Sequence, residues 1–306
     1  MLKLESITVR YKDKTVLENL SLTATAGEII GLVAPNGTGK TTLFNVIANF
    51  LKPNKGNVTF REKLQYKTEK QEIAIHNQLA TLPDQADLFE ELSGVEHMKL
   101  YADMWNSDKK VEDIYKYLQM EGYVKKKVKT YSLGMRQRLC FAMLACADTP
   151  VMLMDEVMNG LDVANVALIS RRLAEMKEEG KLLFIASHLL SNLDLYADRV
   201  LYLKDGDFIH EQNAQNKNEK YIKLDISPEE YEKLSLVYSL PEDHLYIADH
   251  LLCIPTVNMS KEEQLHWMLN VANDENKEVT IGPLGTLEFY EHYYHGDAKA
   301  KILGGE

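Results

Sequence analysis

The stretch Ile29-Ile30-Gly31-Leu32-Val33-Ala34-Pro35-Asn36-Gly37-Thr38-Gly39-Lys40-Thr41-Thr42 decides how this chain reads. Its first five residues form a short apolar run of the kind buried on both faces of a parallel sheet. A glycine-rich turn follows, and apolar periodicity predicts a helix from about Lys40 to Phe50. Strand, glycine turn and helix are the context that a phosphate-binding loop requires. Main-chain N–H groups from Asn36, Gly37, Thr38 and Gly39 then face phosphate at the positive end of the helix that Lys40, Thr41 and Thr42 open. Lys40 is a point charge for β and γ phosphates, and the Thr41 hydroxyl is a ligand for Mg²⁺. Ala34 stands where a first glycine is usual, which carries a cost if that position needs a positive φ.

Outward from this core, residues 2–9 alternate apolar and polar, and a second strand-like stretch, Val16 to Ala24, leads to the turn residue Gly27. Val151 to Met154 and Leu182 to Ala186 are further buried-strand candidates, each after a helical segment, so the first 210 residues read as α/β. The pattern from about 86 to 147 is helical, with Ser93 and Glu96 as a capping box. The last third has its own rhythm. Ile222, Leu224 and Ile226 alternate, Ser227-Pro228-Glu229-Glu230 is a capped helix start, and 244–248 with 251–255 read as a hairpin. Ser260 with Glu263 caps a helix running to about Ala272, and Val279 to Ile281 closes a βαββαβ order of the ferredoxin-like type.

A chain of 306 residues, 45% apolar and 26% charged, can bury a full core and suggests two domains. The net charge of −11 is unevenly spread: residues 1–210 carry 27 basic and 28 acidic side chains, residues 211–306 carry 8 and 18. That shift places a candidate domain boundary near 210 and argues against nucleic acid or an anionic membrane as a partner for the acidic part. Cys140, Cys146 and Cys253 have spacings that suit neither a zinc site nor a disulfide framework, and read as small core residues in a reducing cytosol. The first residues lack the apolar core of a secretory signal, and no stretch approaches 18 uninterrupted apolar residues.

Four further strings follow the phosphate loop in fixed order. Tyr131-Ser132-Leu133-Gly134-Met135-Arg136-Gln137-Arg138-Leu139 resembles the LSGGQ signature of the ATP-binding cassette (ABC) ATPases and its following helix. Val151-Met152-Leu153-Met154-Asp155-Glu156 resembles their Walker B strand, Asn159-Gly160-Leu161-Asp162 their D-loop, and His188 after Leu182 to Ser187 their switch histidine. The resemblance covers residues 1 to about 210. It implies a P-loop NTPase fold of the ABC type, with a helical subdomain at about 86–147, followed by a small α/β accessory or regulatory domain at 211–306. By the same resemblance, ATP is bound with Mg²⁺ held by Thr41 and Asp155, Glu156 polarises the attacking water, and His188 contacts the γ-phosphate. Tyr11 lies where the family stacks an aromatic ring on adenine, and Ser132, Gly134, Met135 and Asp162 reach the nucleotide of a second ATPase subunit.

Leu82-Pro83-Asp84-Gln85 falls at the family's Q-loop, with Asp84 at the usual glutamine position and as a further metal ligand, and Gln85 as the alternative one residue on. The string YSLGM and the acidic Q-loop resemble the bacteriocin, lantibiotic and drug exporter branch. Leu88, Phe89 and Leu92 are candidates to line a groove for a membrane partner. The expected function is therefore the ATPase subunit of an exporter, a homodimer at the cytoplasmic face of the membrane driving separate integral membrane subunits. The alternative is a soluble ABC ATPase of translation or DNA repair, which the single cassette and the lack of long heptads or a cysteine cluster disfavour. A third reading, an ATP-binding regulatory module without turnover, is disfavoured by the presence of Lys40, Asp155, Glu156 and His188. The basic run Lys125, Lys126, Lys127 and Lys129 lacks interleaved aromatics and reads as a solvated face. Glu288, Glu291, His292 and His295 have helical spacing compatible with a metal site, although polar helix faces often look the same.

Overall fold

The computed structural model of the protein describes residues 1–12, 14–213, 219–271 and 279–303. The chain forms two compact units, Met1–Glu211 and Gln212–Glu306. In chain order the first unit contains β1 (Leu2–Tyr11), β2 (Lys14–Ala24), β3 (Glu28–Val33), α1 (Lys40–Ile47), β4 (Lys55–Phe60), β5 (Leu64–Gln65), α2 (Glu69–His76), β6 (Leu79–Thr81), α3 (Gly94–Met104), α4 (Val111–Tyr117) and α5 (Leu133–Ala147). It continues with β7 (Val151–Asp155), α6 (Val163–Glu178), β8 (Leu182–Ala186), α7 (Leu190–Tyr196), β9 (Arg199–Lys204) and β10 (Asp207–Asn213).

A six-stranded sheet in the order β10-β9-β3-β8-β7-β6 is the centre of this unit. β3 pairs in parallel with β8 and β9, and β7 in parallel with β6 and β8. The apolar runs explain why these strands are central: Ile29, Ile30, Val33, Leu183, Ile185, Met152 and Met154 are wholly inaccessible to solvent. Register then builds the site. Leu32 and Asp155 both pair with Ala186, so the chain leaves β3, β7 and β8 at one level of the sheet. In an open parallel sheet this carboxyl edge is where ligands bind. A second sheet, β2-β1-β4-β5, is antiparallel and shares its core with α1 and the face of β3. The helical segment after β6 consists of α3, α4 and α5, and α3 begins with the expected Ser93–Glu96 capping box. The first helix is shorter than its periodicity predicts. It stops at Ile47, and Asn49 takes a φ of +60°, a left-handed turn that asparagine tolerates.

The second unit contains β11 (Tyr221–Asp225), α8 (Pro228–Val237), β12 (Leu245–Ile247), β13 (Leu251–Pro255), α9 (Lys261–Val271), β14 (Val279–Gly282) and α10 (Thr286–Leu303). Its antiparallel sheet has the order β12-β13-β11-β14, the ferredoxin-like arrangement of a βαββαβ chain. Alternation sorts the side chains by face. Ile222, Leu224, Leu252 and Ile254 are buried with Tyr231 and Leu234 of α8 and Trp267 and Met268 of α9. Cys253 and Ile247 belong to a separate cluster with Leu284 and with Phe289 of α10. Capping boxes start α8 at Ser227 and tie Ser260 to Glu263 before α9. The expected end of that helix, Ala272, lies outside the described residues. Among the described residues no helix is long and apolar enough to cross a membrane.

Candidate active site

The loop between β3 and α1 has the shape its sequence demands. Gly37 and Gly39 adopt φ of +77° and +120°, and Gly39 lies against β2, where a Cβ would fall 3.1 Å from the Val16 side chain. Bulk at residue 39 is excluded on both counts. Ala34, by contrast, has no positive φ, so the missing first glycine costs nothing in backbone strain. Asn36 and Gly37 face solvent, Thr38 donates to the Pro35 carbonyl at 2.7 Å, and Thr41 and Thr42 open α1. Lys40 is 7% exposed, and its Nζ donates to the carbonyls of Ala34 at 2.6 Å and Pro35 at 3.2 Å. Burial lowers its pKa, opposed by the charges of Asp155 and Glu156. A buried ammonium that faces two carboxylates and is held by neutral carbonyls is poised to exchange those carbonyls for phosphate oxygens.

At the end of β7, Asp155 Oδ2 accepts from the Thr41 hydroxyl at 2.8 Å. Burial pushes the Asp155 carboxyl above its ordinary range, the Thr41 bond acting against this and the neighbouring Glu156 adding to it. Glu156 follows with φ of +54°. One of its carboxylate oxygens is 2.8 Å from His188 Nε2 and the other accepts from the Asn159 amide. Parallel pairing of β7 with β8 brings His188 to this position, because Ala186 is level with Asp155. Sequence reading named Asn159 only as part of the D-loop and missed its bond to Glu156. It also missed Gln137, whose amide donates to the carbonyls of Glu156 and Val157.

In the Q-loop segment the two neighbours diverge. Asp84 Oδ1 caps a short 3-10 turn by accepting from Ala86 N at 2.8 Å, and Asp84 lines the same cavity as Thr41 and Asp155. Gln85 instead donates to Gln137. That cavity measures about 600 Å³ and is lined also by Phe50, Leu88, Phe89 and Met104; Leu92 is not part of its lining. Its histidine, His97, is fixed by bonds to Phe89 N and Ser93 O.

The signature residues sit at the start of α5. Ser132 caps the helix by accepting from Met135 N at 3.3 Å, and Leu133 is 63% exposed. Gly134 and the D-loop touch closely: a Cβ on Gly134 would lie 3.1 Å from the Gly160 carbonyl, and one on Gly160 would lie 2.9 Å from Leu133 Cδ2. Asp162 caps α6 through Asn165 N at 2.8 Å. Tyr11 is 49% exposed at the tip of the β1–β2 hairpin, paired with Lys14, two residues before the Val16 that abuts Gly39.

Several of the remaining candidates are engaged in ion pairs. Lys127 and Lys129 pair with Glu91 at 2.8 and 2.9 Å. Glu288 pairs with Lys223, Glu291 with His250 and His295 with Asp249, and among the described residues no group of three His, Cys, Asp or Glu side chains is placed to hold a metal. All three cysteines are free and buried.

The family model for ABC transporters matches residues 17–159. The chain is 33% identical over 221 residues to the ABC transporter ATP-binding protein YhcH of Bacillus subtilis, a match spanning 71% of this chain and 72% of that one. With the bacitracin transport ATP-binding protein BcrA of Enterococcus faecalis it shares 29% identity over 235 residues, 74% of this chain and 75% of the other. The solved dimeric structure of the bacterial ABC transporter cassette MJ0796 is similar in fold, with a TM-score of 0.63 and 23% identity over 70% of this chain and 98% of that one.

Proposed function

The chain belongs to the ATP-binding proteins of ABC transporters and is an ATP-hydrolysing subunit, and from that premise we propose that it powers export by separate membrane subunits. The observation that carries the assignment of the chemistry is the Thr41–Asp155 bond at 2.8 Å, one residue before the Glu156–His188 pair. In this reading Asn36 to Thr42 wrap the triphosphate, and Lys40 trades the Ala34 and Pro35 carbonyls for β and γ oxygens. A hydroxyl and a carboxylate that already converge are a hard oxygen donor pair suited to Mg²⁺, whose chemistry is to neutralise charge on the phosphates. Asp84, lining the same cavity, is the third proposed ligand. Glu156, oriented by His188 and Asn159, draws a proton from the attacking water as oxygen bonds to the γ-phosphorus. The bond from that phosphorus to the bridging oxygen breaks, leaving ADP and phosphate, and His188 faces the γ-phosphate. Tyr11, on the rim beside the loop, stacks on adenine.

A transport role is supported by the bacitracin transport relative, and export by the resemblance of the YSLGM string to the exporter branch. The groove of about 600 Å³ supports a docking place for a membrane subunit, since its lining joins the exposed apolar side chains of Phe50, Phe89 and Met104 to Thr41 and Asp155. A partner seated there touches the residues that sense nucleotide. Ser132, Gly134, Met135 and Asp162 serve the nucleotide of a second copy of the chain, so that two ATP molecules close a homodimer at the cytoplasmic face of the membrane. Co-purification from detergent-solubilised membranes tests this. Recovery of an integral membrane subunit in stoichiometric amount is expected; recovery of ribosomes or DNA-repair factors instead would overturn it.

A further inference from the structure

Gln137 is in the second turn of α5 and is 4% exposed. Its Nε2 donates to the carbonyl of Glu156 at 3.0 Å and to that of Val157 at 2.9 Å, and its Oε1 accepts from the side chain of Gln85. Two carbonyls require a nitrogen with two hydrogens, so the amide has one orientation, and both its ends are in use. The residue it holds is an unusual one. Glu156 has φ of +54°, a conformation that a residue with a side chain keeps only where its surroundings impose it. The Glu156 N–H bonds to Ala186 O at 2.9 Å, and its carbonyl accepts from Asn159 N at 3.0 Å. Gln137 supplies the second bond to that carbonyl and the bond to the next one, fixing two successive peptide planes from the signature helix. Through Gln85 it also holds the residue that follows Asp84. One buried amide therefore joins the helix that begins at Ser132, the loop after β6 and the turn that presents the Glu156 carboxylate.

We propose that Gln137 is a positioning residue for ATP hydrolysis: it sets the main chain that aims Glu156 and makes that setting depend on where Gln85 lies. The proposal rests on Glu156 being the group that polarises water. Misplacing such a group by an ångström lowers turnover while leaving ground-state binding in place.

The test separates turnover from nucleotide affinity in the full chain. Gln137→Glu keeps the side-chain size but turns carboxylate oxygens toward the two carbonyls. Turnover is expected to fall about tenfold or more, with the Kd for ATP within about threefold of wild type. The ratio of its rate to wild type should rise as pH falls, because a protonated carboxyl restores one donor. The charged neighbours are otherwise engaged: Arg136 with Glu90, Arg138 with the carbonyls of Leu118 and Gln119, Asp84 with Ala86 N, and Glu156 with His188 and Asn159. Gln85→Ala, on a half-buried turn, should lower turnover in the same direction and add nothing further to Gln137→Glu. Wild-type turnover in Gln137→Glu, or ATP affinity and thermal stability lost in proportion to rate, would reduce Gln137 to a core residue. Wild-type turnover in Gln85→Ala would sever the link to the Q-loop segment. Glu156→Gln measured alongside keeps the premises apart, since full turnover in that variant overturns the role of Glu156 whatever Gln137 does.

Discussion

The roles proposed for Lys40 and Glu156 differ, and substitution separates them. In the proposed site Lys40 supplies charge to the phosphates in the ground state, and on that proposal Lys40→Ala should weaken ATP binding by about ten- to a hundredfold, the worth of one charge-assisted bond. Glu156 is proposed to act as water attacks, and on that proposal Glu156→Gln should bind ATP normally and lose about 10²- to 10⁴-fold in turnover. Equilibrium binding and single-turnover hydrolysis read the two effects; equal loss of affinity in both variants would contradict the assignment. Asp155 adds a pH dependence. Burial raises its pKa, so its ionised form is disfavoured in the folded protein. A raised acid contributes stability below its unfolded pKa that is lost as pH rises through the folded one. Without Mg²⁺ the fold should therefore lose stability over that acid window, and Mg²⁺ should restore it above. Mg²⁺ affinity should weaken on acidification at a higher pH than for an exposed aspartate, and titrations of Asp155→Asn should lack this dependence. These residues were legible in the sequence because each lies in a contiguous string beside a strand end. Gln137 and the Asn159–Glu156 bond were not, since a polar side chain in a helix or turn does not announce which distant carbonyl or carboxylate it will meet.

Elements with a strong local signal were read with nearly the right bounds. The buried runs of β3, β7 and β8 and the capping boxes at Ser93 and Ser227 state their own structure. β6, three residues long, and the largely polar β10, Asp-Phe-Ile-His-Glu-Gln-Asn, do not, because neighbouring strands fix their place rather than their own periodicity. The cysteines were read correctly as core, and burial pushes each thiol up to about 12. At pH 8 only about one thiol in ten thousand is then the reactive thiolate. Alkylation of the native chain should be very slow, with all three cysteines labelled once denaturant opens the fold; fast native labelling would contradict their burial. At the start of α5, the 3.1 Å approach of a Cβ on Gly134 to the Gly160 carbonyl makes Gly134→Val disruptive to the signature and D-loop. If the signature acts on the partner's nucleotide, Gly134→Val chains and Glu156→Gln chains should each be inactive alone. Mixed, they should regain activity, because one of the two composite sites is then intact. A mixture that hydrolyses no more than its parents would confine each site to one chain.

The two units have separate cores, and every nucleotide motif belongs to the first. The acidic second unit carries the opposite balance from a nucleic-acid or anionic-surface binder, with 8 basic and 17 acidic residues from 212 onward. Its ferredoxin-like sheet supplies a folded body without any part of the phosphate site, and we propose that it regulates the ATPase or steadies its dimer. The structure indicates where to cut. β10 continues to Asn213, and Glu211 pairs with Arg199 of β9 at 2.9 Å, so a chain ending at His210 would fray the edge of the six-stranded sheet. One ending at Asn213 keeps the strand and the pair. Truncated there, the protein should remain soluble and bind ATP with wild-type affinity, because Lys40, Thr41, Asp155 and the core beneath them are untouched. Its ATPase rate, or the affinity of its dimer by sedimentation, should change. An unchanged rate together with an unchanged dimer constant would make the second unit a passive appendage. Loss of ATP binding would mean that the nucleotide core depends on it, and that the chain cannot be divided after Asn213.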